Sequence, residues 1–282
     1  MRIEVSNLVK KYGDKKILNE INLSLSEPKI YGLLGRNGAG KTTFMELLAG
    51  QTPLSDGYIL VEGKEPFDNV QVASEICLIK EGGNFKPDLK IKQILKIYSK
   101  FYPSWDQALA EEMLRIYKLD MNAKIKTLSK GMESALGITA GLASKAPITI
   151  FDEPYIGMDA AARKKFYEIL LEEYEAQPRT FIFSTHLIDE AALLFEEVII
   201  FSNGSLIMHE TADVLRDSTC AITGNAAEVE QYIANRKVIA KKQLAGMMTA
   251  YIFRTEEDNL NDFYVEGIPI QELMIHLTEE VV

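Results

Sequence analysis

Paired cysteines and long hydrophobic runs are both missing from this 282-residue chain. Its two cysteines, Cys77 and Cys220, have neither a CxxC nor a Cys/His spacing. Because disulfide frameworks and zinc sites need clustered thiols or imidazoles, neither is expected here. The longest apolar runs, such as those at 191–195 and 198–201, are far shorter than the roughly 20 residues of a membrane-spanning helix. The first ten residues also lack the apolar core of a signal peptide. We therefore expect any membrane role to come through a partner.

An excess of positive charge is absent as well. The chain has 41 acidic and 31 basic side chains, which give a formal net charge of −10. Since a negative protein repels the phosphate backbone at long range, nucleic acid is not an expected partner. The densest basic group is interpreted as a solvated rim; it consists of Lys10, Lys11, Lys15 and Lys16. A hydrophobic content of 47% and a charged content of 26% are typical of a globular protein with a substantial core.

Strands and helices alternate along most of the chain. Residues 2–9 and 17–25 alternate between polar and apolar side chains, which predicts half-buried strands. The continuous apolar run at 30–34 predicts a strand that is buried on both faces. Helical spacing is found at residues 42–49, 89–117 (broken by Pro103), 129–143 and 159–174. Strands that alternate with helices predict an α/β fold with a mostly parallel sheet, and the early alternating strands predict an antiparallel β layer beside it.

The C-terminal part of the chain differs from the rest in charge and pattern. Residues 211–282 carry twelve acidic and six basic side chains. Their pattern predicts short strands with two amphipathic helices. We expect a domain boundary near residue 212, followed by a small α+β C-terminal domain at 212–282. No chemical motif occurs there, so bracing of a dimer is the preferred interpretation, and metabolite sensing is an alternative without a ligand motif.

A glycine-rich segment joins the strand at 30–34 to the helix at 42–49. Its residues Gly35-Arg36-Asn37-Gly38-Ala39-Gly40-Lys41-Thr42 match G-x-x-x-x-G-K-[ST] in the strand–helix context that this motif requires. Glycines let consecutive backbone N–H groups converge on phosphate oxygens, and the helix N-terminus adds its positive dipole end. Lys41 is expected to neutralise the β- and γ-phosphates of ATP, and Thr42 to ligate Mg²⁺. The residues expected to hold the nucleotide are Asn37, Gly38, Ala39, Gly40, Lys41, Thr42 and Thr43.

Two adjacent carboxylates end a second apolar strand. Asp152 and Glu153 follow the apolar residues 148–151. Acids at the carboxyl end of a strand lie where ligands bind in doubly wound sheets. We expect Asp152 to hold Mg²⁺ and Glu153 to polarise the water that attacks the γ-phosphate. Without the glycine-rich segment, the pair would be interpreted as a solvated loop.

Between these two motifs stands Leu128-Ser129-Lys130-Gly131-Met132, which resembles the signature sequence of ATP-binding cassette (ABC) ATPases. The resemblance implies that Ser129 and Gly131 of one subunit close over ATP held by the phosphate loop of another. A serine hydroxyl and backbone N–H groups at a helix N-terminus suit a γ-phosphate. The same Ser129 is also an ordinary helix cap, and both interpretations can hold together.

Further positions resemble the remaining motifs of this family, and the resemblance covers residues 1–211. Tyr12 in Lys11-Tyr12-Gly13 is similar to the aromatic residue that stacks on adenine. Asp159 in Gly157-Met158-Asp159 resembles the D-loop, which positions the facing subunit's site. His186 in Ser184-Thr185-His186 resembles the switch histidine that contacts the γ-phosphate. The resemblance implies a phosphate-loop NTPase core with a helical subdomain at about 84–145.

Two positions depart from the family pattern. The residue that matches the usual Gln of the family is expected to be Glu81. A carboxylate keeps an oxygen for Mg²⁺, loses the amide donor and adds negative charge beside the phosphates. The signature has Lys130 and Met132 where Gly and Gln are commoner, and hydrolysis is expected to survive both changes.

The resemblance implies an ATP-hydrolysing subunit that powers a membrane exporter of the ABC-2 type found in Gram-positive bacteria. Its expected partners are separate transmembrane permease subunits and a second ABC ATPase, identical or not, which would place the chain at the cytoplasmic face of the cell membrane. The expected cargo is amphipathic or antimicrobial peptides or drugs. A soluble ABC protein that acts on ribosomes or DNA is the alternative. Such proteins usually have two cassettes or a long coiled-coil insert and basic patches, which this chain lacks.

An aromatic segment at residues 82–105 is expected to dock the membrane partner. It contains Phe85, Phe101, Tyr102 and Trp105. Ordinary core packing is an equally weighted explanation of these side chains.

Overall fold

The computed structural model describes residues 2–255 and 258–279 of the chain. Its strands are β1 (Ile3–Tyr12), β2 (Lys15–Leu25), β3 (Ile30–Leu34), β4 (Asp56–Val61), β5 (Ile76–Ile79), β6 (Ile148–Asp152), β7 (Thr180–Ser184), β8 (Glu197–Ser202), β9 (Ser205–Thr211), β10 (Thr219–Asn225), β11 (Val238–Leu244), β12 (Met247–Phe253) and β13 (Tyr264–Gly267). Its helices are α1 (Lys41–Leu48), α2 (Val70–Ala73), α3 (Ile91–Phe101), α4 (Gln107–Ile116), α5 (Lys130–Ala143), α6 (Ala160–Ala176), α7 (Ile188–Ala191), α8 (Ala212–Ser218), α9 (Ala226–Ile233) and α10 (Ile270–Thr278). A short 3₁₀ turn spans Ile125–Thr127. Among the described residues, no helix is long and apolar enough to span a bilayer.

The central sheet has six strands in the order β5-β6-β7-β3-β8-β9. Its strands run parallel except β9, which pairs antiparallel with β8. Every residue of β3, β6 and β7 is buried, as expected for parallel strands that are covered on both faces. The structure therefore confirms the predicted α/β fold, and it places the carboxyl ends of β3, β6 and β7 at one edge of the sheet.

A smaller antiparallel sheet with the order β2-β1-β4 forms the predicted second β layer. Its inward side chains, such as Leu8, Leu18 and Ile59, share one core with Phe44 of α1 and with one face of the central sheet. Each such buried side chain contributes roughly 1.5–3 kcal/mol relative to exposure. This layer holds the β1–β2 turn beside the segment that joins β3 to α1.

Helices α3, α4 and α5 occupy the region predicted to be helical. Pro103 lies in the link between α3 and α4, and Asp106 caps α4 by accepting a hydrogen bond from the Leu109 amide at 2.9 Å. Apolar positions at helical spacing on α3 and α4 are buried, among them Ile94 and Met113. The helices thus pack as the periodicity indicates.

A buried charge cluster ties α5 to α6. Lys145, just after α5, pairs with Glu173 of α6 and lies 3.6 Å from Asp106. Arg179 is 5% exposed, lies 3.7 Å from Glu173 and donates to the Leu142 carbonyl at 3.1 Å. Because breaking such a buried pair leaves an uncompensated charge, the cluster resists separation of the two helices.

The C-terminal residues form an antiparallel sheet with the order β11-β12-β10-β13. Helix α9 covers one face, whereas Tyr251 on the other face joins the large core together with Leu273 of α10. The prediction of two helices was wrong, because α8, α9 and α10 all occur here. The proposed domain at 212–282 stays a prediction; it includes 256–257 and 280–282, which lie outside the described residues.

Candidate active site

The segment between β3 and α1 is shaped by two glycines with positive φ. Gly35 has φ 147°, and a Cβ there would lie 2.3 Å from the Phe201 carbonyl oxygen. Gly40 has φ 100°, and a Cβ there would meet Leu18 at 2.6 Å. No larger side chain fits either position without displacing its neighbours. The backbone can therefore curl tightly before α1 begins at Lys41, as the motif requires.

The ammonium group of Lys41 folds back over this loop. Its Nζ donates to the Gly35 carbonyl at 2.7 Å and to the Arg36 carbonyl at 3.2 Å. Burial lowers the pKa of Lys41, while the charges of Glu153 and Asp152 act to raise it. Two neutral carbonyls only partly compensate a desolvated cation, so the group is suited to an anionic ligand at the same place.

Thr42 and Asp152 meet although they are far apart in sequence. Thr42 Oγ1 donates to Asp152 Oδ2 at 2.6 Å. Asp152 ends β6, and burial raises its pKa; Thr42, Ser184 and Lys41 oppose that shift, whereas the charge of Glu81 adds to it. These hydroxyl and carboxylate oxygens are the hard ligands that Mg²⁺ prefers.

Glu153 forms a hydrogen bond with His186, which follows β7. The His186 Nδ1 to Glu153 Oε2 distance is 2.6 Å. Burial raises the pKa of Glu153, and His186 opposes that shift. Glu153 has φ 49°, and its amide donates to the Ser184 carbonyl at 3.1 Å. A non-glycine residue with this backbone conformation stores about 1–3 kcal/mol of strain, which is characteristic of functional sites.

An open cleft of about 670 Å³ brings many of the predicted residues together. Its predicted lining residues are Asn37, Gly38, Ala39, Gly40, Lys41, Thr42, Thr43, Glu81, Asp152 and Glu153. Glu81 thus faces the same space as Lys41 and Asp152, and the predicted lining residues combine one cation with three carboxylates. Within the described part of the chain, no cluster of three or more His, Cys, Asp or Glu side chains could hold a metal by itself. A metal at Thr42 and Asp152 would consequently need additional oxygens from a phosphate-bearing ligand or water.

Five predicted residues lie away from the described lining of this cleft. Tyr12 ends β1 opposite Lys15, is 51% exposed, and has the Lys10 ammonium 4.6 Å from its ring centroid. Ser129 caps α5, and its Oγ accepts a hydrogen bond from the Met132 amide at 3.2 Å. The other three are Gly131, Asp159 and His186, the last of which is linked to the cleft by its hydrogen bond with Glu153.

Gly131 and Asp159 belong to two segments in close backbone contact. A Cβ on Gly131 would lie 2.3 Å from the Gly157 carbonyl oxygen. Asp159 caps α6 by accepting from the Ala162 amide at 2.8 Å. The N-terminal end of α5 therefore packs directly against the turn before α6.

The sequence interpretation missed part of the cleft. Its further lining residues are Lys15, Lys16, Ile17, Ser184, Asn203 and Gly204. Lys15 and Lys16 are exposed, and they face the cleft from the β1–β2 turn. Lys10 is not part of a solvated rim: it is 5% exposed and donates to the Pro53 carbonyl at 2.6 Å. The signal was the position of Lys15 and Lys16 just after Tyr12, whereas burial of Lys10 depends on a distant loop.

Comparisons with known proteins agree with the motifs. The family model described as ABC transporter matches residues 18–156. The chain is 30% identical over 270 residues to the uncharacterised ABC transporter ATP-binding protein MJ1023 of Methanocaldococcus jannaschii, covering 94% of this chain and 95% of that protein. It is 30% identical over 222 residues to Nod factor export ATP-binding protein I of Burkholderia orbicola, covering 77% and 73%. Its fold is similar to that of the dimeric ATP-binding cassette MJ0796 bound to ADP and Pi, with a TM-score of 0.66, 21% identity and coverage of 74% and 98%.

Proposed function

We propose a transport role from one premise: this chain belongs to the ABC transporter family as an ATP-binding subunit that hydrolyses ATP. Its turnover would drive a membrane exporter whose spanning subunits are separate chains. The observation that carries this proposal is the convergence of Lys41, Thr42, Asp152 and Glu153 on one cleft. These residues follow two different strands, β3 and β6, and together they supply the groups that phosphoryl transfer to water requires.

ATP and Mg²⁺ are the ligands of this ATPase, and this cleft would bind them. The Thr42 hydroxyl and the Asp152 carboxylate would hold the metal, since their oxygens already lie 2.6 Å apart. When bound, Mg²⁺ supplies positive charge that offsets the phosphate oxygens. Lys41 would release the carbonyls of Gly35 and Arg36 to pair with the β- and γ-phosphates. The glycines allow a loop conformation in which backbone N–H groups would orient the same phosphates.

Glu153 would act on the attacking water. Burial favours the protonated form of its carboxyl group, while the hydrogen bond to His186 favours the ionised form that can accept a proton. His186 would contact the γ-phosphate and link that contact to Glu153. These roles rest on the geometry of the pair and on the resemblance of the surrounding motifs to those of the family.

A second ATPase copy would complete each site. Ser129 and Gly131 do not line the described cleft of their own chain, yet they form a helix N-terminus suited to a γ-phosphate. We propose that each copy presents this end of α5 to the other's nucleotide. MJ0796, which has the same fold, was solved as a dimer with ADP and Pi. The partner copy can be identical or related, because both halves of the composite site are present in this chain.

Tyr12 would stack on the adenine ring. Half of its surface is exposed, and its strand end lies beside Lys15 of the cleft. Lys10 already covers the ring at 4.6 Å, so one face would bind the cation and the other the base.

The membrane partner would dock on the exposed side of α3. Phe85 and Tyr102 are buried, so core packing accounts for those two aromatic residues. Trp105 is half-buried and packs against Tyr98. In contrast, Ile97 and Phe101 are 52% and 44% exposed and stand four residues apart on α3. Such an apolar pair on one helix face is suited to a permease surface.

Phe101→Glu is expected to reduce co-purification of membrane subunits with the chain by at least about tenfold, because it places a charge in the centre of the apolar contact. The measurement is affinity purification from detergent-solubilised membranes. Ser99→Glu is the matched control, since it adds the same charge at an exposed position about half a helical turn away. Trp105→Glu tests the half-buried Trp105 in the same assay. If co-purification with Phe101→Glu is undiminished, the exposed side of α3 is not the docking surface.

Glu81→Gln is expected to raise the Mg²⁺ concentration for half-maximal turnover by about three- to tenfold. The amide keeps an oxygen but removes one of the negative charges that face the metal position, including the charge that raises the pKa of Asp152. The measurement is phosphate release against Mg²⁺ concentration, with the exposed Glu65→Gln as control. An unchanged Mg²⁺ dependence and unchanged transport would show that Glu81 does not serve the metal.

Export and cargo are the finer parts of this proposal. The export ATPase from Burkholderia orbicola supports outward transport. Amphipathic or antimicrobial peptides or drugs are the proposed cargo, and the cytoplasmic face of the membrane is the proposed location. The C-terminal residues 212–282 are proposed to brace the dimer. Recovery of transmembrane subunits in the affinity purification would support the exporter, whereas recovery of ribosomal particles would favour a soluble ABC protein.

A further inference from the structure

A buried hydroxyl lies beside Glu153 without a hydrogen-bond partner. Tyr155 follows Glu153 by two residues and is 2% exposed. Its hydroxyl is inaccessible to solvent and makes no hydrogen bond of ordinary geometry within the described residues, although the Glu153 carboxyl group and the Leu187 amide lie near it. Because an unpaired buried hydroxyl costs about 1–3 kcal/mol, its persistence suggests a partner in another state of the protein.

The position of this hydroxyl is determined by rigid surroundings. The Tyr155 ring packs 6.0 Å from Phe183 and 6.5 Å from Tyr167, measured between ring centroids. Its carbonyl accepts from the Met158 amide at 3.0 Å, and the Ile156 carbonyl accepts from Ser134 Oγ at 2.7 Å. The ring cannot swing out of the core without breaking these contacts.

Two groups of the active site flank the hydroxyl. Burial raises the pKa of Tyr155, the charge of Glu153 and a contact with its carboxyl group add to that shift, and the Leu187 amide opposes it. The His186 ring centroid lies 6.1 Å from that of Tyr155. The Tyr155 side chain therefore lies near both the Glu153 carboxyl group and the His186 ring.

The observed partner of Glu153 is His186, at 2.6 Å. Under the proposed function, His186 turns to the γ-phosphate, and Glu153 then loses the contact that orients it. The strained backbone of Glu153, with φ 49°, keeps the residue in place, but it does not hold the carboxyl group in one rotamer.

We propose that Tyr155 is a positioning residue, whose hydroxyl donates a hydrogen bond to the Glu153 carboxylate when His186 engages the nucleotide. This inference rests on the proposed function, because it assumes that Glu153 acts on the attacking water. Tyr155 does not touch substrate; it acts by holding Glu153 in the orientation that serves the water.

Tyr155→Phe separates this role from ordinary packing, since it removes one oxygen and keeps the ring. The purified full-length chain is expected to lose about tenfold in kcat, the equivalent of one hydrogen bond to a charged group, with KM for ATP changed less than about twofold. Without nucleotide, its melting temperature is expected to be equal or higher, because the lost hydroxyl is unpaired in this state. A positioning role thus predicts lower turnover without lower stability.

Tyr117→Phe is the matched control. Its hydroxyl is also buried and unpartnered, but it lies after α4, in the helical region. We expect wild-type kcat and KM from this variant. A second test places Tyr155→Phe in a Glu153→Gln background, where single-turnover hydrolysis is expected to fall no further, because an effect that acts through Glu153 disappears with it.

The outcomes distinguish this inference from the proposed function. Wild-type kcat in Tyr155→Phe, with turnover abolished in Glu153→Gln, would overturn the role of Tyr155 alone. A clear drop in melting temperature would do the same, because it would show a hydroxyl that already stabilises the nucleotide-free fold. Brisk hydrolysis by Glu153→Gln would instead contradict the proposed function on which the inference rests.

Discussion

Glu153→Gln is expected to lower ATP turnover by roughly 10²- to 10⁴-fold, the contribution of a general base, while ATP-bound dimers accumulate. The amide cannot accept a proton from the attacking water, yet it has nearly the same size as the carboxyl group. Removing a carboxylate from a cleft with three of them also lessens repulsion of the triphosphate. ATP should therefore bind and close the dimer, but the dimer should not reopen by hydrolysis.

Two measurements check this expectation. Phosphate release reports turnover, and size-exclusion chromatography with Mg²⁺ and ATP reports dimers. Asp189→Asn is the matched control, because it makes the same chemical change at an exposed position on α7, three residues after His186. Loss of turnover without ATP-dependent dimers would contradict the composite site, and retained turnover would contradict the role of Glu153.

Lys41→Ala is expected to weaken ATP binding by about 100-fold, since charge-assisted hydrogen bonds are worth about 1.5–3 kcal/mol each. The substitution removes the ammonium that lies 2.7 Å from the Gly35 carbonyl, inside the glycine-rich loop. Two phosphates would lose their nearest cation. The fold itself should not suffer, because burial already lowers the pKa of Lys41 and so disfavours its charged form.

Thermal unfolding with and without ATP separates these two effects. A ligand stabilises the state that binds it, so the wild-type chain should melt at a higher temperature when ATP is added. The Lys41→Ala variant should melt like the wild type without nucleotide and should lose that upward shift. Lys64→Ala, at an exposed position of the turn after β4, should retain it. Unimpaired ATP affinity in Lys41→Ala would contradict the phosphate role of the loop.

The phosphate loop and the acids after β6 were predictable because each depends on a few consecutive residues. Gly35 and Gly40 have backbone angles that other residues reach only with strain, so their identities already indicate the turn. Asp152 and Glu153 end an apolar strand whose burial follows from its composition. The mostly parallel sheet was predictable for the same reason, since the alternation of strands and helices is a local pattern.

Other features could not be predicted in this way. The burial of Lys10 depends on Pro53, which is supplied by a separate loop. Helix α8 has only seven residues, and so short a segment has little periodic signal. Which aromatic residues at 82–105 are buried and which are exposed depends on the orientation of α3 on the core.

The sequence by itself determined which short segments can bind phosphate and metal, because glycine conformation, strand burial and helix caps are properties of neighbouring residues. Only the tertiary structure decided which side chains meet: Thr42 with Asp152, Glu153 with His186, and the Tyr155 ring with the His186 ring. Those meetings depend on strand order and register, which set the relative positions of residues up to 110 apart in sequence. The order arises from packing across the whole core, and no single segment encodes it.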